Sequence, residues 1–241
     1  MGKYLKGYSL YLKIILIIFL NIFLLYTCSK EDAWKRLYDQ CVTLYQQGKY
    51  SEATELAEEA LQLAEKTLGP EYPNMARSLN NLAMLYRVHG KSAGAEPFCK
   101  RSLEIIEKAL GPDHPQVAIA LNNLAVLYLV QGRHAEREPL YKRSLEIIEK
   151  ARGPDHPHVA TALNNLAKFY QARGRHAEAE PLYKRSLEIW EKAFGPDDLR
   201  VASALNNLAG LYRVQGKSAE AEPLYKRSME IIEKVRGPDH P

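Results

Sequence analysis

The stretch PQVAIALNNLAVLYLVQGRHAEREPLYKRSLEIIEKARGPDH, residues 115–156, is followed at once by a near copy of itself. Residues 157–198 differ from it at only 11 of 42 positions. The same period runs outward in both directions. Gly-Pro falls at 69–70, 111–112, 153–154, 195–196 and 237–238, and Leu-Asn-Asn-Leu-Ala falls at 79–83, 121–125, 163–167 and 205–209. A fixed period between about 20 and 50 residues marks an architecture of stacked repeats. Such arrays present extended binding surfaces and seldom carry out chemistry of their own.

Within one copy the spacing of apolar residues gives the local structure. Val117, Ala118, Leu121, Leu124, Ala125 and Tyr128 recur at threes and fours, one face of a helix running to about Gln131. Gly132-Arg133 ends it, because glycine accepts the left-handed turn that follows a helix. A second helix is predicted from about Ala135 to Arg152, with Leu140, Ser144, Leu145, Ile148 and Ala151 inward. Gly153-Pro154-Asp155-His156-Pro157 stops it, since proline lacks the amide proton that a helix interior needs. Pro97, Pro139, Pro181 and Pro223 fall in the opening turns of the second helices, near the limit of where a missing amide is tolerated. The unit is a helical hairpin that must stack on its neighbours to bury its faces.

The pattern Leu-Asn-Asn-Leu-Ala-x-x-Tyr-x-x-x-Gly-Arg/Lys-x-x-Glu-Ala resembles the tetratricopeptide repeat. The 42-residue period and the Gly-Pro-Asp-His-Pro linker resemble its long, kinesin-light-chain type. The resemblance covers roughly residues 33 to 241 and implies an all-α, right-handed α-solenoid. About five hairpins are expected, at about 33–68, 73–110, 115–152, 157–194 and 199–236, within an array of 28–241. The first is divergent, with Trp34, Leu37, Cys41 and Leu44 in the inward slots. Terminal repeats differ in this way because one side faces water. Three departures stand out: Arg137 replaces the alanine of Ala95, Ala179 and Ala221, Cys99 replaces the tyrosine of Tyr141, Tyr183 and Tyr225, and Asp198-Leu199 replaces His-Pro in one linker. The packing of the third hairpin is where the pattern is weakest.

Residues 1–27 read as a signal peptide or membrane anchor. Lys3, Lys6 and Lys13 precede the apolar run IILIIFLNIFLLY at 14–26, and Thr27-Cys28-Ser29 follows it. A helix of that length rises about 20 Å, short of the roughly 30 Å hydrocarbon core. Leu25-Tyr26-Thr27-Cys28 resembles a bacterial lipoprotein processing box with Cys28 as the lipidated residue, though threonine is unusual before the cysteine. An uncleaved anchor is the alternative. Positive charge ahead of the apolar run places the repeats on the extracytoplasmic side, as in a periplasmic or cell-surface lipoprotein.

The chain has 33 basic and 29 acidic residues, a net charge of +4. Without the three lysines of residues 1–27, 30 basic residues face 29 acidic ones, a net of +1. This balance speaks against nucleic acid as a partner, which calls for a strongly basic stripe. Cys41 and Cys99 occupy different helical slots one repeat apart and are expected to be free, buried thiols.

Candidate chemistry is thin. Gly210 and Gly216-Lys217-Ser218 look like a phosphate-binding loop, but five residues separate the glycines where four are needed. The surroundings are also helix-turn-helix, whereas that loop joins a strand to a helix. Gly90-Lys91-Ser92 sits in the same kind of turn. His114, His156 and His240 recur in the linkers. Equivalent positions in stacked helices lie about 10 Å apart, while zinc needs ligands at about 2.1 Å. Turn punctuation is the plainer reading. No nucleophile, base and acid fall together, so no enzyme, no cofactor, no metal and no small-molecule substrate is expected.

The resemblance implies that the first helices line an inner groove. Projection at about 100° per residue sets Ile119, Asn123, Val126 and Val130 opposite the core of their helix, with Asn122 and Leu129 at its flanks. The corresponding groove positions are Arg77, Asn81, Met84 and Val88; Thr161, Asn165, Lys168 and Ala172; and Ser203, Asn207, Gly210 and Val214. Arg87, Gln171 and Arg213 flank them, and Asn80, Asn164 and Asn206 complete the recurring asparagine pairs. An amide both donates and accepts, so a ladder of asparagines suits an extended peptide backbone of any sequence. The same pairs could instead bridge adjacent repeats, since buried amides need partners. The remaining groove slots vary between repeats and would set side-chain preference: an aliphatic patch at Ile119, Val126, Leu129 and Val130, flanked by Arg77, Arg87, Lys168 and Arg213. The expected ligand is a peptide segment with a hydrophobic anchor and acidic flanks.

The expectation is thus a membrane-tethered scaffold that gathers other proteins. The alternative is a regulatory or sensor segment of a larger signalling protein or enzyme, suggested by the linker at 237–241, which would introduce a further hairpin, and by the absence of a polar capping helix after it.

Overall fold

A computed structural model describes residues 31–67, 69 and 73–237. The candidate signal segment, Cys28 and His240 lie outside the described residues. The described chain is all helix and turn, arranged as the helical hairpins of an α-solenoid. It divides into two compact units, residues 1–109 and 110–241.

The first unit holds α1 (31–46), α2 (Tyr50–Thr67), α3 (Pro73–Val88) and α4 (Ser92–Leu110). Trp34 and Cys41 of α1 and Ala53, Ala57 and Ala60 of α2 are buried, and the Cys41 thiol donates to the Ala53 carbonyl at 3.3 Å. The indole N–H of Trp34 donates to Ser78 Oγ at 2.8 Å, tying α1 to α3. Cys41 and Cys99 are buried free thiols, and burial pushes both up, Cys99 to about 11.

The second unit holds three hairpins: α5 (Pro115–Val130) with α6 (Arg137–Arg152), α7 (Pro157–Ala172) with α8 (His176–Phe194), and α9 (Leu199–Val214) with α10 (Ser218–Arg236). All six core positions read from the spacing of α5, from Val117 to Tyr128, are buried. On α6 the inward set is Tyr141, Ser144, Ile147 and Ile148. Leu140 and Leu145 are half-buried and Ala151 is exposed, so the inward face of α6 is turned from the one its sequence suggests. The turn glycines have positive φ, 72° at Gly132 between the helices of a hairpin and 86° at Gly153 between hairpins. A side chain is strained there, which is why glycine recurs at both places.

One polar contact repeats through both units. Ser102, Ser144, Ser186 and Ser228, all buried, donate to the carbonyls of Ala76, Ala118, Ala160 and Ala202 at 2.8–3.1 Å. Each serine fastens a second helix to the first helix of its own hairpin. Seven residues earlier on the same second helices, Ala95, Ala179 and Ala221 are buried and let the two helices approach. In the third hairpin Arg137 stands in that slot and is buried too. Its Nε donates to the Ala125 carbonyl at 3.1 Å and its Nη2 to the Tyr141 hydroxyl at 3.2 Å. The guanidinium also lies 5.3 Å from the Phe169 ring. Where an alanine allows close approach, this side chain occupies the gap, and α6 begins at Arg137 while α8 and α10 begin three residues earlier in register, at His176 and Ser218. Pro139 is therefore the third residue of α6, whereas Pro181 and Pro223 are the sixth of theirs.

The linker histidines cap helices. The backbone N–H of Gln116 donates to His114 Nδ1 at 3.2 Å, and that of His158 donates to His156 Nδ1 at 3.1 Å. Asp198 does the same for α9 through Arg200 N–H at 2.8 Å. An accepting imidazole nitrogen must be unprotonated. Desolvation first, then the neighbouring His158 and Arg152, hold the His156 pKa below the ordinary imidazole value. The Arg200 guanidinium and backbone N–H instead hold Asp198 down to about 2. A group with a depressed folded-state pKa adds stability above its unfolded value that is lost as pH falls through the folded one. His156→Asp should therefore remove acid sensitivity at this cap. Between pH 7 and pH 5 the melting temperature of the wild type should fall further than that of the variant, by about 2–4 °C for a cap of about 1 kcal/mol. Parallel curves would show that the imidazole contributes no cap.

Candidate peptide-binding face

Of the first helices in the second unit, α5 is unlike the others. Pro115–Val130 contains no charged residue, and a helix apolar on every side is normally enclosed on every side. Here one side is open. Ile119 is 56% exposed, Val126 37%, Leu129 45% and Val130 55%. These four lie together because positions three, four and seven apart share a helix face. An open aliphatic strip of this kind is the usual mark of a binding surface.

On α7 the matching positions are polar. Thr161 and Lys168 are exposed, Asn165 is half-buried, and the half-buried Gln171 accepts a hydrogen bond from the Tyr183 hydroxyl at 2.8 Å. On α9, Ser203, Val214 and Arg213 are exposed, Asn207 is half-buried, and Gly210 leaves a gap. A β-carbon at Gly210 would meet the Tyr225 hydroxyl at 3.7 Å and Gln171 Nε2 at 4.0 Å. A side chain at this position would thus pack on polar atoms of α7 and α10. The identity of residue 210 is visible in the sequence, but which side chains lie beneath it is not.

The first unit carries the corresponding face of α3. Arg77 is exposed, with its guanidinium 4.6 Å above the Tyr38 ring and 6.0 Å from that of Trp34. Asn80, Asn81, Met84 and Arg87 are half-buried and Val88 is exposed. Arg77 is thereby positioned by aromatic contact, a role its spacing does not reveal.

The asparagine pairs divide their work. Asn122 donates from Nδ2 to Ser144 Oγ at 2.9 Å, inside its own hairpin. Asn164 is buried, and its Oδ1 accepts from Asn207 Nδ2 at 2.9 Å, joining α7 to α9. The bridging reading therefore holds at this pair. Asn123 and Asn206 are exposed and Asn165 is half-buried, and among the described residues none of the three makes a side-chain hydrogen bond. Among the described residues the buried side-chain oxygens Oδ1 of Asn80 and Asn122 have no hydrogen-bond partner.

Among the described residues no group of three or more histidine, cysteine or acidic side chains is arranged to hold a metal ion. No described helix is long and apolar enough to cross a membrane.

The division gives a direct check. Asn207→Ala removes the partner of a buried amide oxygen, which costs about 1–3 kcal/mol. Asn165→Ala should change stability by less than about 0.5 kcal/mol. Equal losses for the two variants in chemical denaturation would mean that Asn165 is also part of the framework.

Comparison with known proteins agrees with this architecture. A kinesin-light-chain-type protein of Podosopora anserina with nearly identical TPR-like repeats superposes with a TM-score of 0.73. It shares 26% identity over 84% of this chain and 95% of that one. BtubC (BKLC) from P. vanneervenii gives 0.72 at 21% identity, over 90% and 92% of the two chains. A Rap protein complexed with Competence and Sporulation Factor gives 0.67 at 17% identity, over 83% of this chain and 54% of that one. The last two establish the fold alone. A comparison with curated proteins finds no match. The tetratricopeptide repeat family matches residues 36–98, 90–136, 119–192 and 158–234. This is a scaffold fold, typically of protein–protein interaction, and the chain belongs to the tetratricopeptide repeat family.

Proposed function

We propose that the chain is a non-enzymatic scaffold that binds extended peptide segments along its first helices and is tethered on the extracytoplasmic side of a membrane by its amino-terminal segment. The observation that carries the binding reading is the open aliphatic strip of α5. Leaving four large apolar side chains in water has no structural return, and covering each gains about 1.5–3 kcal/mol at full burial. The strip suits the hydrophobic anchor of a peptide. Exposed Lys168 on α7 and Arg213 on α9 suit acidic residues on either side of it. Asn123 and Asn165 offer amides to the peptide backbone between them.

A fluorescent peptide library with an aliphatic centre and acidic flanks supplies the probe. Binding measured by anisotropy should weaken about tenfold for the double variant Asn123→Ala, Asn165→Ala. It should be lost for Ile119→Asp with Val126→Asp, both on an exposed surface. Unchanged affinity in the asparagine variant would sink the ladder. A library from which nothing binds the wild type would sink the groove reading as a whole.

The tether rests on the basic start, the short apolar run and Cys28. Intact mass and fractionation of the expressed protein decide it. A chain that begins at a diacylated Cys28 in the membrane fraction is the expected result. An unprocessed chain in the cytosol would refute export.

A further inference from the structure

Gly210 lies inside α9, where glycine weakens a helix relative to alanine. Every other described glycine answers a need of the backbone or of the packing. Ten have positive φ, and a β-carbon on Gly94 would press on the Tyr86 ring at 3.0 Å. Gly210 has neither reason. Its φ is not positive. A β-carbon there would meet the Tyr225 hydroxyl at 3.7 Å and Gln171 Nε2 at 4.0 Å, both ordinary contact distances. The same slot holds Val126 on α5 and Lys168 on α7. Packing would therefore accept a side chain at residue 210, and the chain has none.

Two polar groups converge on this half-buried point. Tyr183, fully buried, donates its hydroxyl to Gln171 Oε1 at 2.8 Å. That bond engages the acceptor of the amide and leaves its Nε2, a donor only, on the side of Gly210. The Tyr225 hydroxyl approaches from α10, the partner helix of the same hairpin. Among the described residues neither Gln171 Nε2 nor the Tyr225 hydroxyl makes a hydrogen bond, and neither is among the unpartnered polar atoms closed off from water. Both therefore reach solvent. Asn207, one turn before Gly210, donates to Asn164 of α7 at 2.9 Å and holds α7 and α9 together beside this point.

The surroundings select the charge of what fits. α5, α7 and α9 contain no acidic residue. Lys168 is exposed one turn before Gln171 on the same face of α7, and among the described residues it makes no ion pair. Arg213, by contrast, shares a hollow with Glu222, Glu230 and Glu233 of α10. A carboxylate above Gly210 accepts from Gln171 Nε2 and from the Tyr225 hydroxyl and stands beside Lys168. An ammonium there would face a donor and a like charge. We propose that the space over Gly210 is a specificity subsite for the carboxylate of one acidic residue of a bound peptide. The subsite rests on the peptide-binding reading of the first helices and narrows it, from acidic flanks in general to one acid at a set distance from the apolar anchor. From α5 to α9 is two helix steps, about 20 Å at about 10 Å for each packed pair. An extended chain covers that in about six residues at about 3.3 Å each.

The probes are fluorescein-labelled peptides with two leucines and, about six residues away, either glutamate or glutamine, made in both chain directions and titrated with the full chain. In one direction the glutamate peptide should bind about tenfold more tightly than the glutamine peptide. Gly210→Ala should remove that preference, leave the glutamine peptide unaffected, and melt at or above the wild-type temperature. Gln171→Glu keeps an acceptor for Tyr183 but turns the donor over Gly210 into a second oxygen, so it too should abolish the preference. Ile119→Asp with Val126→Asp should weaken both peptides alike. Equal affinity of the two peptides for the wild type, or a preference that survives Gly210→Ala and Gln171→Glu, overturns the subsite and leaves the groove standing. A preference lost only in Lys168→Ala does the same, because attraction to a bare charge would explain it. A lower melting temperature for Gly210→Ala would show that packing requires the glycine, and the proposal falls. If no peptide binds the wild type, the groove reading and the subsite fall together.

Discussion

Four buried serine hydroxyls, each held by an alanine carbonyl 26 residues earlier, set the distance between the paired helices of four hairpins. A hydroxyl in that position is costly unless bonded, and a carbonyl already serving its own helix has a lone pair to spare. The bond works only if the helices are close, and the alanines two turns earlier on the serine-bearing helices permit that. The hairpin so made is two helices thick and cannot cover its own apolar sides. Stacking follows from that shortfall. Where arginine replaces the alanine, the serine bond survives at 3.1 Å but the first turn of the second helix does not form. The serine therefore governs the middle of the hairpin and the alanine the end nearest its turn.

Between hairpins the apolar and ionic contacts have different tasks. Pairs such as Arg185–Glu149 are roughly one-third exposed, and exposed ion pairs contribute about 0–1 kcal/mol each. Burial of Leu208, Leu211 and Phe169 contributes more, at about 1.5–3 kcal/mol for each large side chain. Packing holds the stack together, and the glutamates decide how one hairpin is aligned on the next. Glu138 shows this most fully. It gathers Arg175, Lys142 and Tyr170, which hold its carboxyl at about 2 and place the turn before α8 against the start of α6.

Much of this is legible in the sequence, because a period of 42 with glycine at fixed places leaves few other arrangements. The core of α5 is readable from spacing alone. What spacing cannot give is contact between residues far apart in the chain. Arg137 is visible as a departure, but not its bond to the Ala125 carbonyl or the shortening of α6. The asparagine pairs look alike in every repeat, yet Asn164 serves Asn207 while Asn122 serves Ser144. Which of two adjacent amides turns inward depends on the neighbouring helix. The linker histidines read as punctuation, and the structure gives the mechanism as capping through Nδ1. On the binding face the exposure of α5 follows from its projection, while the gap at Gly210 depends on side chains of α7 and α10.

The near identity of the repeats also bears on how the chain finds its fold. Glu149 and Glu191 present the same surface, so an arginine from either following hairpin satisfies either glutamate. A chain that skips one hairpin during folding and loops it out loses few of its recurring contacts. Long arrays of similar units misassemble in this manner. Discrimination then falls to the few positions that differ. Arg137 against the rings of Tyr141 and Phe169, and Trp190 where Ile148 stands one repeat earlier, are two of them. The irregularities that interrupt the repeat are what give each hairpin an address.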